Sequence, residues 1–250
     1  HVRSRRQRQM CIRDSSIVSA DSFFQYVWPL MAGTLIASAI ALLIATPIAV
    51  GVALFISHYA PRKIATPVGY VIDLLAAIPS VVYGAWGMTF LASSLVPAYA
   101  WLNKNLGWIP IFGGEASNTG RTILTSGIVL SVMILPIITS LCREIFVQTP
   151  KLHEEAALAL GATRWEMIRM TVFPFARAGI ISSIMLGLGR ALGETMAVTL
   201  VLSPGIFSLS LISSGHNATI PSEIALNFPE AFGMRQNELI AAGLMLFIIT

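Results

Sequence analysis

The 250-residue chain is 55% hydrophobic and 11% charged, with a mean hydropathy of +0.75, a composition that excludes an ordinary soluble domain and points to a membrane protein. Its formal charge of +4 resides in the first 15 residues, where Arg3, Arg5, Arg6, Arg8 and Arg13 stand against Asp14; the remainder is neutral overall, which excludes a basic face for nucleic acid. Two cysteines, Cys11 and Cys142, make no disulfide framework.

The chain opens with HVRSRRQRQMCIRDSS, which has no apolar h-region and so is not a signal peptide. It reads either as a polybasic juxtamembrane arm or as foreign sequence, and the abrupt change of composition favours the second. Residues 1–21 are therefore set apart as a non-native or disordered basic arm, and residues 22–250 as a transmembrane domain incomplete at both ends. No Asp, Glu, Lys or Arg occurs from Ser22 to His58, and a first spanning helix is predicted from about Leu30 to Ile56. Tyr26 and Trp28 fall in an aromatic belt, and Gly33, Ala37, Ala41 and Gly51 are small enough for close helix contact. After a turn at Arg62 and Lys63, a second span is predicted from about Val68 to Ala92, with Asp73, Ala77, Ser80, Gly84 and Gly87 on one face. A carboxylate facing lipid is costly, so this face is expected to look inward onto a wet path. A loop is predicted from Ser93 to Arg121, with a short interfacial helix around Tyr99 to Leu106, and then a third span from Thr122 to Cys142 broken only by Pro136.

Residues 149–174, TPKLHEEAALALGATRWEMIRMTVFP, interrupt the apolar runs with His153, Glu154, Glu155, Arg164, Glu166 and Arg169, between Pro150 and Pro174. Glu155 to Leu160 reads as a short helix stopped by Gly161. A second helix starts near Thr163, with Glu166 three residues on as in a capping box. Two short helices joined at a glycine make a rigid knob at a membrane face.

The fourth span is predicted from about Ala178 to Leu202, with Gly179, Ser183, Gly187, Arg190, Glu194 and Ala197 on a single face and Arg190 at the middle of the apolar run. An ionised side chain at that depth costs at least ~2.5–3.5 kcal/mol, and Glu194 at i+4 is within its reach. The pair is either a closed tie within the bundle or an anion site, in which the guanidinium offers two parallel donors to an oxyanion and Glu194 neutralises it between anions or repels the wrong one. The depth favours the anion site. Ser203 to Glu238 reads as a polar loop, and the apolar run from Leu239 stops after 12 residues at Thr250, which makes it part of a fifth span. Arg62, Lys63, Arg143, Lys151, Arg164, Arg169 and Arg177 fall on one side of this topology and Lys104, Arg121 and Arg235 on the other, so the first side is assigned to the cytoplasm.

The register Glu155-Ala156-Ala157, Gly161, Pro174 resembles the EAA loop of permease subunits in bacterial ABC importers, with Thr171 and Phe173 where Ile and Leu are usual. LLAAIPSVVYG, residues 74–84, together with RALGETMAV, residues 190–198, is similar to the PstC-type permeases of phosphate ABC importers, a resemblance that runs over nearly all of residues 22–250. It implies an all-α, MetI-like type I importer fold, present here as four full spans and a partial fifth. It further implies ATP-driven phosphate import across the bacterial cytoplasmic membrane, with a second PstA-type permease, a PstB-type ATPase dimer carrying ATP and Mg, and a PstS-type phosphate-binding protein as partners. By the same resemblance Arg190 and Glu194 align with the charged pair of the phosphate path, to which the inward face of the second span adds Asp73 and Ser80. Glu155, Ala156, Ala157, Gly161 and Pro174 align with the ATPase-coupling loop.

The chain has no GxxxxGK[ST] and no Gly-Lys pair, so ATP hydrolysis is expected on separate subunits, and no cofactor is expected on this one. His58, His153 and His216 have no ligand spacing, so no metal site is expected. A permease for sulfate or molybdate would share the loop and the fold and ranks second, on the strength of RALGETMAV. An ion-coupled secondary transporter ranks below that, and an intramembrane enzyme would show a second catalytic group that the sequence lacks.

Overall fold

The computed structural model describes residues 23–109, 111–202, 210–213 and 217–250, which contain helices and no strand. The basic arm, residues 1–21, and His216 lie outside the described residues. Among the described residues, four helices are long and apolar enough to cross a membrane: Tyr26–Tyr59, Ser80–Leu106, Ile123–Val147 and Arg164–Gly193.

Helix α1 (Phe23–Leu54) continues through one wide π turn, Phe55–Tyr59. Ala37, Ala41, Ala45, Ala49 and Ala53 recur every fourth residue along it, and none is more than 1% exposed. We number as α4 the span Ile123–Val147 against which this stripe packs. Methyl side chains let two helix backbones approach closely, which matters where lipid supplies no hydrophobic drive to associate. Helix α4 is the centre of the bundle, since 67% of its most apolar window is buried against 33% for α1 and 22% for each of the other two spans. The neighbours wrap α4 and leave their outer faces for lipid. Thr122 caps its start by accepting the Thr125 N–H. Pro136 does not break it, and the helix runs past Cys142 to Val147, taking Arg143 and Glu144 with it.

The second span differs from the prediction. Residues 62–76 form α2 (Arg62–Ala76), and the crossing is made by α3 (Ser80–Leu106), which contains a π turn at Gly87–Leu91. Proline explains the break: the residue before it is disfavoured in the helical region, and Pro79 itself is extended at ψ 138° and caps α3. Asp73 and Ser80 therefore sit on different helices. Residues 93–106 are helix rather than loop, pinned to α4 by a 2.6 Å hydrogen bond between the Tyr99 hydroxyl and Thr125 Oγ1.

The fourth span differs too. Helix α5 (Lys151–Ala159) is followed by α6 (Arg164–Gly193), which carries a third π turn at Ile168–Val172. Pro174 does not bound the knob; it lies within this continuous helix, just past the widened turn that takes up its missing N–H and its ring. Helix α6 ends at Gly193, Glu194 is extended at ψ 121°, and a short α7 (Met196–Val201) follows. Beyond it, α8 (Ile220–Asn227) and α9 (Met234–Ile249) occupy much of the stretch expected as loop, and α9 begins ahead of Leu239.

Candidate functional site

The knob is built from two local hydrogen-bond devices. Helix α5 ends in a Schellman motif: the Ala162 N–H donates to the Ala157 carbonyl at 3.2 Å and the Gly161 N–H to that of Leu158 at 3.0 Å, with Gly161 at φ +88°. A side chain at Gly161 would meet nothing within 4 Å, so the backbone angle alone calls for glycine. Helix α6 then opens in a capping box, the Thr163 N–H donating to Glu166 Oε2 at 2.8 Å and the Glu166 N–H to Thr163 Oγ1 at 3.3 Å. Ala157, Met167 and Ile168 seat the knob in the main core. Glu155, Ala156 and Gly161 face outward, and Pro174 is exposed on α6. Leu152, Leu158, Leu160 and Trp165 face outward as well, with Leu160 89% exposed. Apolar side chains clustered clear of the core on a charged helix mark a surface that a partner covers. These leucines were missed in the sequence.

The second constellation lies where α3 and α7 meet, each just past a break. A Cβ on Gly84 would come within 2.7 Å of the Ala197 Cα, so only glycine permits this approach of one backbone to another. Next to it, the buried Tyr83 donates its hydroxyl to the Leu75 carbonyl at 2.8 Å, tying α3 back across the break to α2. IPSVVYG and RALGETMAV, far apart in the chain, are thereby brought together.

Arg190 is in the last turn of α6, where the negative end of the helix dipole favours a cation. It stands roughly 20 Å along the helix from Arg177, at about 1.5 Å per residue. The expected Arg190–Glu194 pair does not form. The helix stops between them, and Glu194 Oε1 instead accepts the Ala197 N–H at 3.2 Å, in the manner of a cap at the start of α7. The predicted face is inward as far as Ser183 and Gly187, which are buried, and ends with Arg190, which is exposed and forms no hydrogen bond or ion pair among the described residues. Ser80 is half-buried in the first turn of α3.

Asp73 is engaged elsewhere. One carboxylate oxygen accepts from Ser140 Oγ at 2.8 Å and the other pairs with Arg143 at 3.4 Å, so α4 holds both. The pair borders a cleft of about 400 Å³ that Ser57, Arg62, Thr66 and Tyr70 also line, at the cationic end of the bundle. His58, which sequence reasoning left without a role, places its Nε2 3.5 Å from Oε1 of Glu154 on α5.

Comparison with known proteins follows the same lines. The family described as "binding-protein-dependent transport system inner membrane component" matches residues 45–250. The "Phosphate transport system permease protein PstC 2" of Mycobacterium tuberculosis is 50% identical over 224 residues, covering 87% of this chain and 68% of that protein. The PstC proteins of Mycobacterium leprae and Haemophilus influenzae are 46% and 42% identical, each over 87% of this chain and over 69% and 70% of their own length. Among solved structures, an inward-facing form of the MetNI methionine ABC transporter superposes with a TM-score of 0.57 over 89% of this chain and 87% of its own, at 15% identity, which speaks to the fold alone.

Proposed function

Since the chain belongs to the family of binding-protein-dependent transport system inner membrane components, we propose that it is the permease subunit through which an ATP-driven importer moves inorganic phosphate into the cytoplasm. Relatives at 42–50% identity bear the name of phosphate transport permeases. The observation that carries the reading is the place of Arg190: a permanently charged guanidinium, without an ion pair among the described residues, in the last turn of α6 just ahead of the break that leads into α7 and its crossing with α3. Helix breaks at membrane depth are tolerated where backbone groups line a cavity, and they are the recurring way of building an ion site there. The planar guanidinium offers paired donors that match an oxyanion. Glu194, turned to the Ala197 N–H, leaves that charge open to phosphate. Ser80 adds a hydroxyl at the start of α3, and Asp73, held by Arg143 and Ser140, stands at the inner mouth of the path.

Coupling falls to the knob. Glu155, Ala156 and Gly161 form the face and turn that enter a groove of a PstB-type ATPase dimer, with Leu152, Leu158 and Leu160 as its apolar anchors, Ala157 seating that face on the core and Pro174 on the helix that carries the movement inward. ATP and Mg reside on that dimer, a PstA-type permease completes the path, and a PstS-type protein delivers phosphate from outside the bacterial cytoplasmic membrane.

Uptake of radiolabelled phosphate by cells co-expressing all four components tests the reading. Arg190→Gln is expected to cut uptake at least about tenfold, the effect of losing a charge-assisted donor pair, with the complex still assembled. Unchanged uptake would reduce Arg190 to a structural residue, and wild-type transport of sulfate or molybdate but not phosphate would reassign the substrate.

A further inference from the structure

His58 sits in the π turn that closes α1, 9% exposed along its side chain, and its Nε2 lies 3.5 Å from Oε1 of Glu154 on the knob. Ser57 Oγ contacts its Nδ1 at 2.7 Å while donating to the Leu54 carbonyl at 3.3 Å. The ring is fixed from a third side by Phe146 of α4, edge-on at 6.5 Å and fully buried. Phe146 in turn meets Phe173 of α6 at 6.3 Å and 90°, and Phe173 meets Trp165, in the first turn of α6, at 6.5 Å and 85°. Edge-to-face pairs of this kind are directional, worth something beyond the area they bury.

From these contacts we infer that Glu154, His58, Phe146, Phe173 and Trp165 form a clamp that transmits movement of the knob to the first, third and fourth spans. The inference rests on the proposed coupling role of the knob. The chain of contacts starts on α5, crosses the ends of α1 and α4, and returns through α6 to the knob's second half, so both halves of the knob are gripped by elements of the bundle. The capping devices at Gly161 and Thr163 make the knob rigid within itself; its second half is the first turn of α6, and this cluster with the apolar seat beneath it ties its first half to α1 and α4 as well. Glu154 is the one charged partner of the knob in that joint, and His58 is a positioning residue, acting through Glu154 and touching no substrate. Transmission of this sort requires a contiguous set of packed groups with two sites at its ends, and here the ends are the exposed face of the knob and the buried core around Phe146.

The experiment uses the assembled transporter in proteoliposomes and reads phosphate imported per ATP hydrolysed, alongside co-purification of the ATPase. His58→Ala and Glu154→Ala are each expected to lower that ratio roughly tenfold, the effect of removing one partner of a part-buried charged pair, with the ATPase still bound. The double variant is expected to be no worse than either single, and the exchange His58→Glu with Glu154→His to recover most of the ratio. Losses that add in the double variant, or single variants with a normal ratio, overturn the clamp. His58→Gln, close in shape and neutral, takes the place of His58→Ala in the same comparison if the alanine variant does not assemble. Failure of the wild-type chain to retain the ATPase, or indifference of binding to Gly161→Leu, overturns the coupling role itself and the clamp with it, and is distinguished by the binding readout.

Discussion

The knob and the crossing of α3 with α7 are both interruptions between helices, and they are held in opposite ways. The knob is set by contacts three to five residues apart, the Schellman bonds at Gly161 and the capping box of Thr163 and Glu166. The crossing is set by contacts between distant parts of the chain: Gly84 against Ala197, and Gly87 against Val129 and Val201. A locally determined shape can be presented to a partner unchanged while the bundle rearranges. A shape held by distant contacts changes whenever the helices that supply them move, as a path with alternating access must.

Substitutions can break one region while sparing the other. The largest effect is expected from Gly84→Val, whose Cβ would press on the Ala197 backbone at 2.7 Å. Overpacking of this kind costs roughly 1–3 kcal/mol, so the melting temperature in detergent and phosphate uptake should both fall, with the knob's ATPase binding retained. Gly161→Leu should do the reverse. The space around it is open, and the left-handed backbone costs a branched residue about 1–2 kcal/mol, so ATPase co-purification weakens while the melting temperature of the bundle barely moves. A smaller loss, about 1 kcal/mol of local helix stability, is expected for Thr163→Ala; hydrogen exchange at the first turn of α6 would speed up with little change elsewhere.

The mildest probe is pH. Glu223 on α8 is 9% exposed, and burial holds its carboxyl above the ordinary value, against the opposing pull of Arg235 and a bond from the Tyr26 hydroxyl. A raised folded-state value means that its contribution to stability is complete below the unfolded value and is lost as pH rises through the folded one. Helix α8 joins α1 through the Thr34 hydroxyl, which accepts the Ile220 N–H at 3.0 Å. The joint between α8 and α1 should therefore loosen as pH rises from the acid side while the knob does not. Melting curves of Glu223→Gln against pH would be flatter than those of the wild type.

The same division explains what could be read in the sequence. Gly161, Thr163 and Glu166 announce the knob because capping is a local code, and their predicted roles hold in the structure. The apolar runs announce the number of spans, since length and hydropathy suffice. The breaks were harder. Pro79 was visible, yet the apolar character continues through it and periodicity alone carries a helix across, which placed Asp73 and Ser80 on one face. No proline marks the end of α6; Gly193 and Glu194 are permissive, and the turn of Glu194 to the Ala197 N–H depends on where α7 packs. Pro174 misled in the other direction, because the π turn ahead of it absorbs the disruption a proline ordinarily causes. His58 was passed over because its partner, Glu154, is supplied by the fold and not by sequence spacing.

That π turn, Ile168–Val172, has a consequence for evolution by insertion and deletion. One extra residue in a helix shifts the angular phase of everything beyond it by roughly 100°, the rotation per residue of a regular helix. Widening the turn by one residue absorbs that shift, which is why Trp165 and Phe173 on either side of it still meet on one face of α6. The direction in which the knob points is thus protected at that turn: loss of one residue from it would leave the azimuth of the capping box nearly unchanged, whereas loss of one from a regular turn of α6 would rotate it by roughly 100°.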